Sequence, residues 1–326
     1  MDDRSPEPND VRRHGDGFQS HGPEGTEDRD MERQDTTAPA LQAQNSEGSG
    51  RRTLRAKLLK NTLARIGMAG IAIMVVVAAF GPLVMPHDPF KQDLFNRLSP
   101  PSAEFLMGTD QYGRDVLSRT IMGTRYSVLI GFVSAFAAFV IGTALGILSG
   151  YVGGRLDQLM NEVVNVMMVF PGILLGILIV AVLGPSFTNL VVTITLILAP
   201  RFVRVSRGLA IALKERDFIM AAHALGQSRL RVMARHILPN LVSEVLVMAT
   251  LWTSTAILAE AGLSFLGLGI QPPLPSWGGM IRDGIDIIQR APWLSVYPGL
   301  AIVVTVLSLN LVGDGVRDAI DPRLSN

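Results

Sequence analysis

The sequence contains no cysteine among its 326 residues. Disulfide bonds and thiolate metal sites are therefore excluded. The phosphate-binding pattern G-x-x-x-x-G-K-[ST] and the zinc-binding pattern H-E-x-x-H are also missing. The serines beside glycine lack the G-x-S-x-G context of an enzyme nucleophile. These absences predict a chain that is not an enzyme by itself and that holds no metal or cofactor.

Charge is scarce as well, since charged residues make up 17% of the chain and the formal net charge is +1, whereas 48% of the residues are hydrophobic. Nucleic-acid-binding proteins carry a basic surface that such a chain lacks. A high apolar content with few charges is typical of a protein that crosses the membrane several times. We therefore expect an all-α polytopic membrane protein without a nucleic-acid partner.

The first 50 residues depart from this composition. They are rich in Asp, Glu, Gln, Ser, Gly and Pro and have almost no periodic apolar residues. Such a segment cannot bury enough apolar surface to offset the entropy that ordering would cost. We predict a disordered cytoplasmic tail over residues 1–50 and a membrane domain over residues 51–326.

Apolar runs long enough to cross a hydrocarbon core of ~30 Å recur through the membrane domain. They predict six spans, at about residues 66–86, 126–150, 161–183, 187–205, 240–260 and 293–313. Basic residues precede the first span and follow the fourth, which places both of these ends in the cytoplasm. Both termini are then cytoplasmic, and residues 87–125 and 261–292 lie outside.

The second predicted span carries small residues that recur mostly every four positions. This spacing lines one face of a membrane helix with a groove that another backbone can approach closely. We expect helix packing at Gly131, Gly142, Gly146 and Gly150.

Two residues are candidates for the transport path or for substrate contact. Glu260, near the outer end of the fifth span, is either a carboxylate at the interface facing water or a group that binds an amino group or a cation on the path. Trp277 suits the membrane interface. It lies in an apolar, Gly- and Pro-rich segment that either forms an external lid or, if it enters the bilayer, borders the path.

A predicted cytoplasmic segment, residues 214–238, separates the fourth and fifth spans. Two short helices are expected here, with Asp217 capping the first, Gly226 forming a left-handed turn and Ser228 capping the second, before Pro239 opens a new segment. One face of the first helix carries an apolar ridge of Phe218, Ala221, Ala222 and Leu225. The ridge fits either a groove on another protein or a lipid surface whose headgroups face Arg229, Arg231 and Arg235. The pattern leaves both interpretations open.

Three blocks of sequence carry a resemblance to a known family. The stretch D-F-I-M-A-A-H-A-L-G followed by I-L-P resembles the E-A-A-x-x-x-G-x(9)-I-x-L-P signature of ABC importer permeases, although Met220 occupies the glutamate position and Ile237 adjoins Leu238 directly. The blocks G-T-D-Q-Y-G-R-D-V-L-S-R from Gly108 and L-S-F-L-G-L-G-I-Q-P-P-L-P-S-W-G from Leu263 are similar to the dipeptide, oligopeptide and nickel subfamily, in its second-permease (C-type) subunits.

The resemblance implies a type I ABC importer permease fold in the bacterial inner membrane. The implied partners are a homologous permease that completes a heterodimer, two ABC ATPase subunits that use ATP and Mg, an extracytoplasmic substrate-binding protein, and membrane lipid. The segment after Asp217 becomes the coupling helix that receives the ATPase motion. Coupling is thereby assigned to Asp217, Phe218, Ala221, Ala222, Leu225, Gly226, Arg229 and Pro239.

The resemblance also implies the substrate class. We expect uptake of dipeptides or oligopeptides, because the spans contain no cluster of His or Met residues suited to binding a metal. The alternatives are a permease for nickel or another metal chelate, and a self-sufficient secondary transporter, which would need repeated halves and an ion site at mid-membrane.

Overall fold

The structure, a computed structural model, describes residues 61–320, apart from the side chain of Ile320. The predicted tail of residues 1–50 lies outside the described residues. Within residues 61–320 the protein is almost entirely helical, and its only β pairing is one antiparallel bridge between Thr109 and Asp115. In chain order the helices are α1 (Thr62–Val84), α2 (Val116–Val152), α3 (Gly154–Val169), α4 (Gly172–Leu183), α5 (Phe187–Lys214), α6 (Asp217–Ala224), α7 (Arg229–Val232), α8 (Leu238–Phe265), α9 (Trp277–Ile285) and α10 (Trp293–Ile320).

Polar caps fix the first residue of several of these helices. The side chain of Asn61 accepts hydrogen bonds from the backbone N–H groups at the start of α1. The Asp115 carboxylate does the same for Ser118 at 2.8 Å, and Ser276 caps α9 through the N–H of Gly279 at 3.2 Å. Each cap satisfies a donor that has no partner within its own helix. The capping residues, and not the first residues of the apolar runs, therefore define where these helices start.

Several helices are long and apolar enough to cross a membrane. Five candidate spans occur among the described residues, and the pair α3 and α4, bent by 97°, brings the number to six if it counts as one span. This architecture agrees with the predicted all-α polytopic fold of six transmembrane helices.

The helix that contains the second predicted span extends beyond that span at its start. Helix α2 begins at Val116 and not near residue 126. The expected boundary rested on the charges of Arg119 and Arg125, which are unfavourable within an apolar environment. Arg119 is nevertheless accommodated in the first turns of α2, because its guanidinium lies 3.6 Å from the Asp110 carboxylate and donates to the carbonyl of Pro89.

The range expected as a single third span, residues 161–183, is divided between α3 and α4. The helix breaks at Phe170 and Pro171, where both residues have extended backbone angles. A proline has no N–H to donate and restricts the residue before it to extended conformations, so a helix ends readily at this point. The predicted turn at residues 184–186 separates α4 from α5.

The main core lies where α2, α5 and α8 meet. Helix α2 packs along α5 and against α8, while α10 contacts α1, α8 and α9. Fully buried residues at the centre of this core include Ile130, Leu198 and Phe202. The same core extends to Ile219 and Ala222 of α6, which places the short helix against one end of the bundle.

Candidate functional site

Helix α6 is held to the end of the bundle by its inward face. Ile219 is fully buried, and the side chain of Ala222 is 4% exposed. Next to them, the hydroxyl of Tyr151, in the last turn of α2, lies 2.9 Å from Nε2 of His223. The two rings stack with their centroids 6.0 Å apart and an interplanar angle of 13°. The segment is therefore attached to α2 through a specific polar contact as well as through apolar packing.

The outward face of α6 is apolar and is left uncovered by the rest of residues 61–320. Phe218 is 44% exposed, and Leu225, at the end of the helix, is 80% exposed. Met220 and Ala221 are exposed as well, and so is Leu230 in the next helix. A contiguous group of exposed apolar side chains on a short helix indicates a surface that contacts another molecule.

Two predictions for α6 need correction. Ala222 does not belong to the exposed ridge. It lies with Ile219 on the face of the helix that packs against the bundle. Asp217 is not the N-cap, since that position is occupied by Arg216 and no side chain caps the helix. Asp217 instead lies in the first turn, where its negative charge interacts favourably with the helix dipole. The ridge consists of Phe218, Ala221 and Leu225.

Gly226 ends α6 in a Schellman turn. Its φ is +73°, in the left-handed region that glycine adopts without strain. The N–H of Gln227 donates to the carbonyl of Ala222 at 3.2 Å, and the N–H of Gly226 donates to that of His223 at 2.9 Å. These are the two hydrogen bonds that define the motif. The turn sharply redirects the chain from α6 into α7.

Basic residues follow the turn. Arg229, Arg231 and Arg235 are all exposed. The predicted cap Ser228 occupies the N-cap position of α7, although its side chain makes no capping hydrogen bond. Nearby, Nε2 of His236 lies 3.0 Å from Oε1 of Gln227, which joins the turn to the next helical turn. The exposed end of the bundle thus combines an apolar ridge with a positively charged flank.

Pro239 lies within the first two positions of α8, as predicted, although no turn separates α8 from the helical residues before it. Helical structure continues from Arg229 to Phe265. A π-helical turn, Met233–Ile237, precedes α8 and closes with the N–H of Leu238 donating to the carbonyl of Met233. Proline within a helix removes one hydrogen bond and clashes with the carbonyl four residues earlier. The wider π turn accommodates that mismatch, so the helical backbone is continuous from α7 into α8.

An ion pair near this end of the bundle was not anticipated from the sequence. Asp157 of α3 accepts hydrogen bonds from Arg207 of α5 at 2.6 and 2.7 Å, a bidentate arrangement. Ser149 of α2 donates to the same carboxylate at 2.6 Å. Three helices are thereby joined at one carboxylate. No local pattern signals a pair whose members are 50 residues apart.

The glycines of α2 lie at close helix contacts. A Cβ on Gly142 would lie 2.5 Å from Cβ of Phe202 and 2.7 Å from the carbonyl oxygen of Ala199. A Cβ on Gly146 or on Gly150 would lie 2.6 Å from a carbonyl oxygen of α5. Gly131 faces Ile257 of α8 at similarly close range. Helix α2 therefore approaches α5 and α8 at a separation that side chains larger than hydrogen would prevent.

Glu260 and Trp277 lie inside the protein and not at its surface. Glu260 is fully buried, and its Oε1 accepts a hydrogen bond from Ser264 at 2.7 Å. The indole of Trp277, 0% exposed, donates to the carbonyl of Thr120 at 3.2 Å. The expected interfacial positions are therefore wrong for both residues, because segment 261–292 folds back and packs α9 against α2 and α8. Neither side chain is open to solvent in this conformation.

Comparison with protein families gives two matches. The family described as binding-protein-dependent transport system inner membrane component matches residues 142–326, which is more than half of the chain. The N-terminal TM domain of oligopeptide transport permease C matches residues 50–101.

Several curated proteins are similar over most of their length. The dipeptide transport system permease protein DppC of Alkalihalophilus pseudofirmus is 43% identical over 270 residues, covering 83% of this chain and 89% of the relative. The di/tripeptide transport system permease protein DppC of Pseudomonas aeruginosa is 42% identical, covering 80% and 88%. The glutathione transport system permease protein GsiD of Pectobacterium atrosepticum is 39% identical, covering 78% and 85%.

Among solved structures, the inward-facing MetNI methionine ABC transporter aligns with a TM-score of 0.51 and 22% identity, covering 63% of this chain and 97% of the matched chain. This likeness concerns the fold, which is that of a type I ABC importer permease. The sequence matches extend it to the family level. The chain therefore belongs to the binding-protein-dependent transport system inner membrane components, the permease subunits of ABC transporters.

Proposed function

We propose that this permease imports dipeptides or other short peptides and that α6 is the helix through which ATPase subunits drive it. The peptide assignment is supported by the relatives described above, whose names specify dipeptide, di/tripeptide and glutathione transport. None of these names specifies nickel or another metal, so the metal-chelate alternative lacks comparable support. Membership of an ABC family likewise disfavours a self-sufficient secondary transporter.

The observation that carries the coupling role is the exposed ridge of Phe218, Ala221 and Leu225 on a well-anchored helix. An amphipathic helix that presents an apolar ridge fits a groove on a partner protein. Arg229 and Asp217 extend the surface with charge of both signs, which favours a protein groove over an anionic lipid surface. The partner that this role requires is an ABC ATPase, because the chain has no phosphate-binding loop of its own.

Transmission from α6 into the membrane follows from its attachments. The Tyr151–His223 contact joins it to α2, and the Gly226 turn and the π segment join it to α8. The Asp157–Arg207 pair ties α3 to α5 beside these helices. Displacement of α6 is then shared by helices that move as one rigid group, as alternating access requires.

The complete transporter that we propose contains a homologous permease, two ATPase subunits that bind ATP and Mg, and an extracytoplasmic substrate-binding protein. It lies in the bacterial inner membrane with both termini of this chain in the cytoplasm. In that orientation α6 faces the cytoplasm, where ATP is available, and the loops before α2 and around α9 face outside.

The coupling role is tested with Leu225→Asp in the full complex, reconstituted in proteoliposomes with the binding protein. If Leu225 inserts into a groove of the ATPase, a carboxylate at this position should abolish co-purification of the ATPase or reduce ATP-dependent dipeptide uptake at least tenfold. Leu106→Asp is the matched control, because Leu106 is comparably exposed, at 61%, in a loop at the opposite end of α2. Normal assembly and uptake in Leu225→Asp would show that α6 does not dock on the ATPase.

The substrate is tested in the same vesicles with labelled dialanine and with a labelled nickel chelate. Peptide uptake that depends on ATP and on the binding protein supports the proposal. Uptake of nickel alone would assign the metal-chelate alternative, and uptake by this chain alone under an ion gradient would assign a secondary transporter.

A further inference from the structure

A polar pocket of about 450 Å³ lies at the end of the bundle opposite α6. It forms where the loop that precedes α2 meets the segment between α8 and α9. Helix α2 runs from this pocket to the Tyr151–His223 contact, and its 37 residues cover about 55 Å at 1.5 Å per residue. The volume falls in the range of pockets that bind small molecules, about 300–1,000 Å³.

Two buried arginines form one wall of the pocket. Arg114 is 6% exposed and Arg119 is 5% exposed. The Nε of Arg114 donates to Oδ2 of Asp110 at 2.6 Å, and the Nε of Arg119 lies 3.6 Å from the same oxygen. One carboxylate is thus shared by two guanidinium groups. The wall keeps a net positive charge although its residues are mostly withdrawn from water.

These arginines carry more N–H donors than the hydrogen bonds within residues 61–320 use. A guanidinium carries five N–H bonds. Arg114 uses its Nε, and Arg119 uses one terminal nitrogen to donate to the carbonyl of Pro89 at 3.1 Å. Among residues 61–320, both terminal nitrogens of Arg114 and the other terminal nitrogen of Arg119 have no hydrogen-bond partner, and each of these atoms keeps some exposed surface. A planar anion such as a carboxylate matches this arrangement of donors.

The rest of the lining supplies the complementary features of a short peptide. Asp283 brings a carboxylate to the pocket and is held 3.2 Å from Arg282. Asp283 also lines a water-sized cavity together with Arg119, so groups of opposite charge border the same small space. The lining also includes the apolar residues Ile270, Leu274, Met280 and three prolines.

We propose that this pocket binds a zwitterionic short peptide, with the peptide's carboxylate on Arg114 and Arg119 and its amino group towards Asp283. The permease would then hold substrate directly at the mouth of the path instead of only receiving it from the binding protein. This inference rests on the proposed import of peptides.

The test is equilibrium binding of radiolabelled dialanine to the purified complex of both permeases and the ATPases, with the binding protein left out. The wild-type complex should bind dialanine saturably. Dialanine amide and N-acetyl-dialanine, which lack the negative and the positive end respectively, should compete at least tenfold more weakly. Because the binding protein is left out, its own selectivity cannot produce this pattern.

Arg114→Ala should weaken dialanine binding at least tenfold, and Asp283→Asn should lose the discrimination against N-acetyl-dialanine. Arg119 still pairs with Asp110 in the first variant, so the loop keeps its ion pair. Arg290→Ala is the control, because Arg290 is exposed on the same segment and does not line the pocket; it should bind as the wild type does. If the Arg114→Ala complex fails to assemble, the competition of dialanine amide and N-acetyl-dialanine on the wild-type complex still tests the proposal.

Two results would overturn the inference. The first is a wild-type complex that binds no dialanine while uptake with the binding protein proceeds normally; the proposed function then stands and this site does not. The second is a wild-type complex that binds no dialanine, together with an Arg114→Ala complex on which the unliganded binding protein no longer docks. In that case the pocket receives an acidic side chain of the binding protein and not the peptide. Absence of peptide uptake under all conditions would instead contradict the proposed function.

Discussion

The hydroxyl of Tyr151 lies 2.9 Å from Nε2 of His223, and the two ring planes are nearly parallel, so the last turn of α2 is joined to α6. This is the direct polar contact between the proposed coupling helix and a long membrane helix. In the proposed mechanism, this contact would help transmit a displacement of α6 to α2.

Replacing Tyr151 with Phe removes this hydrogen bond and keeps the ring. A hydrogen bond of this kind contributes about 1 kcal/mol, so the complex should still assemble. We expect less peptide transported per ATP hydrolysed, since α6 would move without carrying α2 fully with it. The measurement is the ratio of uptake to ATP hydrolysis in proteoliposomes. An unchanged ratio would contradict a mechanical role for the contact.

Gly226 should tolerate Asn better than Ala. Nothing lies within 4 Å of a Cβ built at this position, so the cost comes only from its φ of +73°. A left-handed conformation costs an alanine about 1 kcal/mol, whereas Asn adopts it more readily. Gly226→Ala should therefore weaken ATPase co-purification more than Gly226→Asn. Equal behaviour of the two variants would show that the turn geometry is unimportant.

Gly142→Ala should destabilise the permease, because the added methyl group would overlap the backbone of α5. Overpacking of this kind costs about 1–3 kcal/mol. Gly208→Ala is the matched control within α5, since nothing lies within 4 Å of its Cβ. The control should be neutral or stabilising by up to about 1 kcal/mol through helix propensity. Thermal unfolding in detergent distinguishes the two, and equal melting temperatures would argue against close packing.

Asp157→Asn removes the charge that receives Arg207. Hydrogen bonds to charged groups contribute about 1.5–3 kcal/mol, and the single variant leaves a partly buried guanidinium without its anion. We expect a lower melting temperature. Asp157→Asn combined with Arg207→Gln should recover part of the loss, because an amide pair can still hydrogen-bond. Additive losses in the double variant would show that the two residues act independently.

The proposed orientation is accessible to labelling because the natural chain has no cysteine. Phe95→Cys, at a fully exposed position beside the pocket end, should react in intact cells with a maleimide that does not cross membranes. Leu225→Cys should react only after the membrane is permeabilised or the ATPase is removed. The reverse pattern would invert the topology and exclude α6 as an ATPase contact.

Local features of the sequence predicted much of the architecture. Apolar runs predicted where the long apolar helices lie, since a bilayer requires stretches of a given length whatever their neighbours are. The boundaries were less accurate, because α2 starts ahead of its apolar run once Arg119 is paired with Asp110. The left-handed turn expected at Gly226 occurs in the structure, where local backbone preference determines the conformation.

Local sequence patterns did not correctly predict which residues of α6 are buried and which are exposed. Periodicity placed Ala222 with Phe218 and Leu225, yet Ala222 packs inward with Ile219. Helical spacing specifies which residues are neighbours, but the surrounding helices decide which of those neighbours are covered.

By itself, the sequence determined the class of molecule, the family resemblance and the position of the segment after Asp217, because these follow from composition and from patterns within a few turns of helix. Only the tertiary structure decided that Trp277 is a buried anchor, that Asp157 meets Arg207, and that Arg114 and Asp283 line one pocket. These relationships join residues far apart in the chain. They arise from the packing of whole helices, which no local window of sequence contains.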